Sequence, residues 1–389
     1  MARKSKSDVE FDGDFTKFIK NTINHALESE GVYAQTVDER WSGGKDENFL
    51  STGDDILDLH LSNVPNGGIP YGRYLNIYSD SGLGKSLLIF KLIANVQKAG
   101  GTAVLFDTEG GGFKKYMKVL GVDTSNLVYF DEMNAVEDIF ETVTRIVMSN
   151  KQAGITHPLV IGIDSMTACT TRKGSALDQF DQQGYGVGAE KQKILGDMFK
   201  KLITRIKADN VIFVTTDQIR DKIGATQWER SWRDTAGWAQ KFYSDIRIEL
   251  TPRGKIKNKN GDEIGYKINI KSIKNRTAPS QRNTTHFIYG TRGIDNFKSW
   301  IENGKELGII KKTSKVNYKW KGEEFRKEDG NLPTEMEFKK ALKENDELRE
   351  AVYKDFCDRM IIEYEYDDSL IDDDENSIED IDPNESKDE

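Results

Sequence analysis

The sequence predicts an α/β protein: a mostly parallel β-sheet with helices covering both faces. Three observations predict it. Short apolar runs recur as buried-type strands at Arg73–Tyr78 (RYLNIY), Thr102–Asp107 (TAVLFD), Leu159–Asp164 (LVIGID) and Val211–Thr216 (VIFVTT). Helical patterns lie among them at Lys85–Lys98, Ala135–Ser149 and Lys191–Lys207. Strand, helix, strand at this spacing calls for crossover connections, which make neighbouring strands parallel and bury both faces. Further strands follow at Ile246–Leu250, Tyr266–Ile273 and His286–Tyr289 with no helix between them. They extend the sheet in a hairpin-like or antiparallel way.

Each flanking segment follows from its own pattern. Residues 14–30 carry Phe15, Phe18, Ile19, Ile23, Ala26 and Leu27 at near-helical spacing, an N-terminal amphipathic helix. The polar, Gly-containing stretch ERWSGGKDEN reads as a linker. Residues 297–360 are charged and helical, with a short pair of strands at NYKWKGEEF, and form a small second domain. No internal repeat is visible.

Composition narrows the function class. The 389 residues are 37% hydrophobic and 31% charged, as expected of a globular protein with a sizeable core. No run reaches the roughly 18 apolar residues of a membrane span, and the N-terminus lacks a signal-peptide segment. Two cysteines, Cys169 and Cys357, make no disulfide framework, so a cytoplasmic location is expected. From Glu363 to Glu389 there are 14 acidic residues and one basic one, while the rest of the chain holds 55 Lys+Arg against 51 Asp+Glu. An acidic tail hangs on a mildly basic body. Two readings fit: a solubilising tail, or one that competes with a polyanion for the body's basic face.

The chemistry centres on Ser79-Asp80-Ser81-Gly82-Leu83-Gly84-Lys85-Ser86, followed by Leu87, a run that follows a strand and opens the helix Lys85–Lys98. That is the context of a phosphate-binding loop. Backbone N–H groups cradle the phosphates of a nucleoside triphosphate, read here as ATP. Lys85 reaches the β/γ-phosphates and the Ser86 hydroxyl holds Mg²⁺. Ser79 replaces the first glycine of the pattern. Asp164 ends an apolar strand, where an aspartate holds the Mg²⁺ shell. Glu109 follows the strand Thr102–Asp107, where a carboxylate can polarise an attacking water.

Two long segments leave the same end of the sheet. Lys173–Gly188 is rich in Gly and Gln, and Ala225–Gln240 holds Trp228, Trp232, Trp238, Arg230 and Arg233. Either they grip a nucleic-acid strand through stacking and phosphate contacts, or the tryptophans pack a local core. Lys274 and Arg276 alternate on one strand face. They are either an ordinary basic face or, in a head-to-tail assembly, contacts to a neighbour's γ-phosphate.

Across about residues 50–350 the chain resembles the RecA/UvsX-type recombinases. The resemblance rests on Leu50-Ser51-Thr52-Gly53 with Gly67–Arg73 before the phosphate loop, and on Lys114-Lys115-Tyr116 followed by Leu120-Gly121-Val122-Asp123. It rests equally on Asp217–Gly224 (DQIRDKIG), Lys241-Phe242-Tyr243 with Arg247, and Lys274–Pro279 (KNRTAP). It implies a RecA-like P-loop NTPase core at 49–296, an N-terminal oligomerisation segment at 1–48, a small α+β domain at 297–360 and a disordered acidic tail at 361–389. It implies roles as well. Glu109 is the catalytic base, Tyr116 stacks on adenine, and Gln218 senses the γ-phosphate. Lys274 and Arg276 act in trans, and Phe242 packs in the filament interface. Lys173–Gly188 and Ile223–Gln240 are the DNA-binding loops, and the acidic tail restrains DNA access. The implied function is an ATP- and Mg²⁺-dependent DNA recombinase. Its implied partners are single- and double-stranded DNA, further copies of itself, and loader or single-strand-binding proteins whose identity the sequence does not give. The rivals are a ring helicase or branch-migration motor on the same core, and a non-catalytic filament paralogue.

Overall fold

The computed structural model describes residues 14–27, 49–111, 113–152, 157–176, 186–208, 210–221, 232–234, 237–312, 318–320 and 332–363. In chain order these form α1 (Phe15–Leu27), β1 (Phe49–Leu50), α2 (Asp55–Ser62), β2 (Ile69–Pro70), β3 (Tyr74–Ser79), α3 (Lys85–Lys98), β4 (Thr102–Asp107), α4 (Lys114–Val119) and β5 (Leu127–Phe130). Then come α5 (Val136–Gln152), β6 (Leu159–Asp164), α6 (Arg172–Ala176), α7 (Gly186–Ala208), β7 (Val211–Asp221), β8 (Trp232–Asp234) and α8 (Trp238–Tyr243). The chain continues through β9 (Ile246–Lys257), β10 (Glu263–Asn275), β11 (Asn283–Tyr289), β12 (Gly293–Ile294) and α9 (Asn296–Glu306). It ends with β13 (Ile310–Lys312), β14 (Tyr318–Trp320), α10 (Glu335–Glu344) and α11 (Asp346–Met360).

The main sheet runs β12-β11-β10-β9-β3-β7-β6-β4-β5, with β8 paired off β7. From β9 to β5 every neighbouring pair is parallel. Thus β9 enters parallel to β3, and the antiparallel extension begins only with β10. The strand alternation explains the two-sided burial. Leu75 and Ile77, Ala103 and Leu105, Ile212 and Val214 face one core with α3. Tyr74, Val104 and Phe106, Val211 and Phe213 face the other with α5 and α7. Period-2 side chains with apolar partners on both faces are the signature of a helix-covered parallel sheet.

A third core joins the C-terminal helices to the front of the chain. Ile56 and Leu59 of α2 pack with Trp300, Ile301, Phe338, Leu342, Val352 and Phe356, while Leu57 and Leu61 of the same helix face the α3 core. The Asp54 side chain caps α2 by accepting from the Ile56 and Leu57 N–H groups. Asp55 then accepts from Asn296 Nδ2 at 2.6 Å and Trp300 Nε1 at 3.1 Å, pinning α9 against it.

Several expectations change. Both ends of the segment expected as a loop at Lys173–Gly188 are helical, in α6 and α7, and residues 177–185 lie outside the described residues. In the second segment Trp232–Asp234 pairs antiparallel with Ile219–Asp221, so its backbone groups are used by a ladder. Trp228 and Arg230 lie outside the described residues, as do the linker before Phe49 and the acidic tail beyond residue 363. The small strand pair is β13–β14, whose first strand lies at the end of the segment expected to be helical. The apolar stripe of α1 leaves Ile19 and Ile23 exposed.

Candidate active site

The phosphate loop leaves β3 and enters α3. Ser79 still pairs with Gln218 and with Leu250, so it sits in ordinary extended backbone that needs no glycine. That removes the objection to serine at this position. Gly82 (φ 78°) and Gly84 (φ 95°) take the left-handed conformations. A Cβ on Gly84 would also lie 2.5 Å from Ile288 Cδ1. No side chain caps the α3 N-terminus, so its first N–H groups remain as anion donors. Lys85 is nearly buried and donates to Asp80 O at 2.8 Å, Ser79 O at 3.2 Å and Ser79 Oγ at 3.3 Å. Burial holds its ammonium below the usual lysine range, against the pull of Asp164 and Glu109.

The strand ends bring the carboxylates alongside. Asp164 Oδ1 accepts from Thr216 Oγ1 at 2.5 Å. Burial pushes Asp164 up, while hydrogen bonds from Ser86 and Thr216 pull it down. Glu109 lies just past β4, exposed, and its Oε1 accepts from Ser165 Oγ at 2.5 Å and Gln218 Nε2 at 2.9 Å. Ser86, Asp164 and Thr216 offer hard oxygen atoms, which suit Mg²⁺ held jointly with phosphate. No group of three or more His, Cys, Asp or Glu able to hold a metal exists among the described residues.

Three contributors escaped the sequence reading. Ser165 bridges to Glu109; Thr216 bonds Asp164; Thr167 Oγ1 accepts the Gln218 N–H at 3.1 Å. The only sequence signal for the first was its place directly after Asp164.

Tyr116 sits on α4, half-buried, with its ring edge-on to Phe90 at 6.3 Å. Phe90 is about one and a half turns along α3 from Lys85. Lys274 and Arg276 lie elsewhere. Lys274 pairs across β10–β9 with Arg247, which is level with Asn76 of β3. Its Nζ donates to Lys241 O at 3.1 Å and Phe242 O at 2.7 Å, at the end of α8. Burial and the charge of Arg276 lower it to about 8. Arg276 Nη1 is 3.5 Å from Asp245 Oδ1. Both cations therefore stand at the sheet edge where β3 begins, and the phosphate loop at the edge where β3 ends. Near them Trp238 (64% exposed) stacks on Phe242 (51% exposed) with ring centroids 4.9 Å apart. For Trp238 the local-core reading is thereby excluded.

The family model described as the RecA N-terminal domain matches residues 39–295. The chain belongs to the RecA family. It is 32% identical over 315 residues to the protein RecA of Campylobacter jejuni subsp. doylei, covering 81% of this chain and 85% of that one. It is 33% identical over 287 residues to the protein RecA of Francisella tularensis subsp. novicida, covering 74% and 75%. Membership makes it an ATP-dependent recombinase of DNA recombination and repair. RecA-family proteins as a class are DNA-dependent ATPases that bind ATP with Mg²⁺, bind DNA and form filaments. No helix among the described residues is long and apolar enough to cross a membrane.

Proposed function

We propose that this chain forms helical filaments on single-stranded DNA and catalyses homologous pairing and strand exchange, with ATP bound between successive subunits. The observation that carries the reading is the placement of the two half-sites at opposite edges of one sheet. Ser79–Ser86, Glu109, Asp164 and Gln218 converge at the C-terminal edge; Lys274 and Arg276 gather at the other. Head-to-tail stacking brings one subunit's cations to the next subunit's nucleotide. The exposed Ile19 and Ile23 of α1 and the Trp238–Phe242 pair are apolar surfaces suited to such junctions.

In the assembled pocket the loop N–H groups and Lys85 hold the phosphates. Ser86 and Asp164 would hold Mg²⁺, which would supply charge neutralisation at the phosphates. Glu109 orients the attacking water and accepts its proton. Gln218, which donates to Glu109, shifts to the γ-phosphate and carries that state into the segment after β7. Lys274 and Arg276 of the neighbour stabilise the charge that develops on the transferred group. Tyr116 lies on the adenine. Residues 1–48 dock on the neighbouring subunit, 49–296 are the ATPase core, 297–360 the small domain, and 361–389 a tail that restrains DNA access.

Two measurements test this together. ATP turnover in Mg²⁺ should rise on adding single-stranded DNA, and electron microscopy with a non-hydrolysable analogue should show helical filaments. Closed rings would favour a motor, and filaments without turnover a non-catalytic paralogue.

A further inference from the structure

Beneath the site lies a buried carboxylate that the ATP chemistry does not use. Asp217 is 1% exposed and directly precedes Gln218. It accepts from Asn76 Nδ2 at 2.7 Å, from Gln240 Nε2 at 2.9 and 3.0 Å, and from Thr167 Oγ1 at 3.3 Å. Each donor belongs to a different part of the machine. Thr167 also takes the Gln218 N–H, so one hydroxyl joins the sensor's backbone to the buried carboxylate. Asn76 lies on β3 below the phosphate loop, and its Oδ1 accepts from Arg247 Nε at 2.9 Å, opposite Lys274 in the β9–β10 register. Gln240 lies on α8, and its Oε1 accepts the Gly237 N–H at 2.8 Å, where the second candidate DNA loop ends.

The first candidate loop reaches the same hub. Lys191, near the start of α7, donates to Met166 O at 2.9 Å and Cys169 O at 2.5 Å, on the turn that carries Thr167. Its neighbour Gln192 lies against Gly237. A Cβ there would stand 1.5 Å from Gln192 Oε1, so Gly237 is the residue that lets the bases of the two segments touch.

A buried carboxylate is tolerated only while its lone pairs are filled. Asp217 is filled by three separate elements at once, so their relative placement is held jointly. We propose that Asp217 is a positioning residue that locks the bases of both DNA-binding loops to the γ-phosphate sensor Gln218. Through it, DNA contact and ATP hydrolysis act on each other. The proposal rests on the roles assigned above to Gln218 and the two loops.

Thr167→Val keeps the shape of the side chain and removes the hydroxyl that bonds Asp217 and the Gln218 N–H; Gln240→Met removes the donor from α8. The experiment measures ATP turnover with and without single-stranded DNA, the KM for ATP, and the thermal midpoint. Thr167→Val should lose about tenfold in the stimulation by DNA, read as the ratio of its own turnover with and without DNA. Gln240→Met should lose stimulation too, because it removes the bond that ties α8 to Asp217. Wild-type stimulation in both single variants overturns the proposal. So does a loss of turnover that tracks the thermal midpoint with the stimulation ratio unchanged. If the unsubstituted protein shows no stimulation at all, the reading beneath the proposal has failed instead.

Discussion

Two inactive variants should restore each other's activity when mixed. Glu109→Gln disables a subunit's own pocket and leaves its Lys274 and Arg276 intact; Lys274→Ala/Arg276→Ala does the reverse. The geometry forbids action within one subunit. Lys274 is level with Asn76, four residues before Asp80, and two strands away across β9. At about 3.3 Å per residue and 4.8 Å per strand, the diagonal is about 16 Å, more than the four-carbon stem of a lysine spans. Its ammonium moreover points to the end of α8. In an equal, random co-filament, a junction works only when an intact pocket meets intact cations. That holds for about one junction in four, given one-directional stacking. Losing trans cations of this kind costs about 10³ or more in turnover, so neither variant alone contributes appreciably. Single-stranded-DNA-dependent ATP hydrolysis should therefore reach about a quarter of wild type in the mixture. Turnover no greater than the summed separate rates, with both proteins present in the filaments, would refute the trans assignment.

Glu109→Gln alone should lower kcat by about 10²–10⁴ while ATP-dependent binding of single-stranded DNA persists; unchanged turnover removes Glu109 as the base. Trp238→Ser/Phe242→Ser should leave the melting temperature nearly unchanged, since both rings are exposed, and should raise the concentration needed for filaments by about tenfold or more. Light scattering against protein concentration would detect it. Asp58 is buried, and burial pushes its carboxyl up to about 7 despite hydrogen bonds from Ser51 and Thr52. A raised folded-state value favours the protonated form, so the wild type should lose stability relative to Asp58→Asn as pH climbs from about 4 through 7; parallel urea midpoints across that window would count against it. Deletion after Met360 should strengthen binding to duplex DNA at matched salt, and an unchanged affinity would return the tail to a solubilising role.

Local pattern determined much from the sequence alone. Short, near-continuous apolar runs mark β3, β4, β6 and β7, because a strand buried on both faces needs apolar side chains on each. The helix Lys85–Lys98 and the strands Thr102–Asp107 and Leu159–Asp164 lie where their residues predict. The phosphate loop was legible because its chemistry is contiguous: glycines, lysine and serine follow one another along the chain. Only the tertiary structure decided what depends on pairing between distant residues. Ser79 needs no glycine because β7 and β9 flank it. Glu109 meets Gln218, 109 residues later, because parallel strands end together at one edge. Lys274 and Arg276 stand opposite the phosphate loop because β10 runs antiparallel to β9. Asp217 becomes a hub because Asn76, Thr167 and Gln240 meet there, and no spacing along the sequence encodes that meeting.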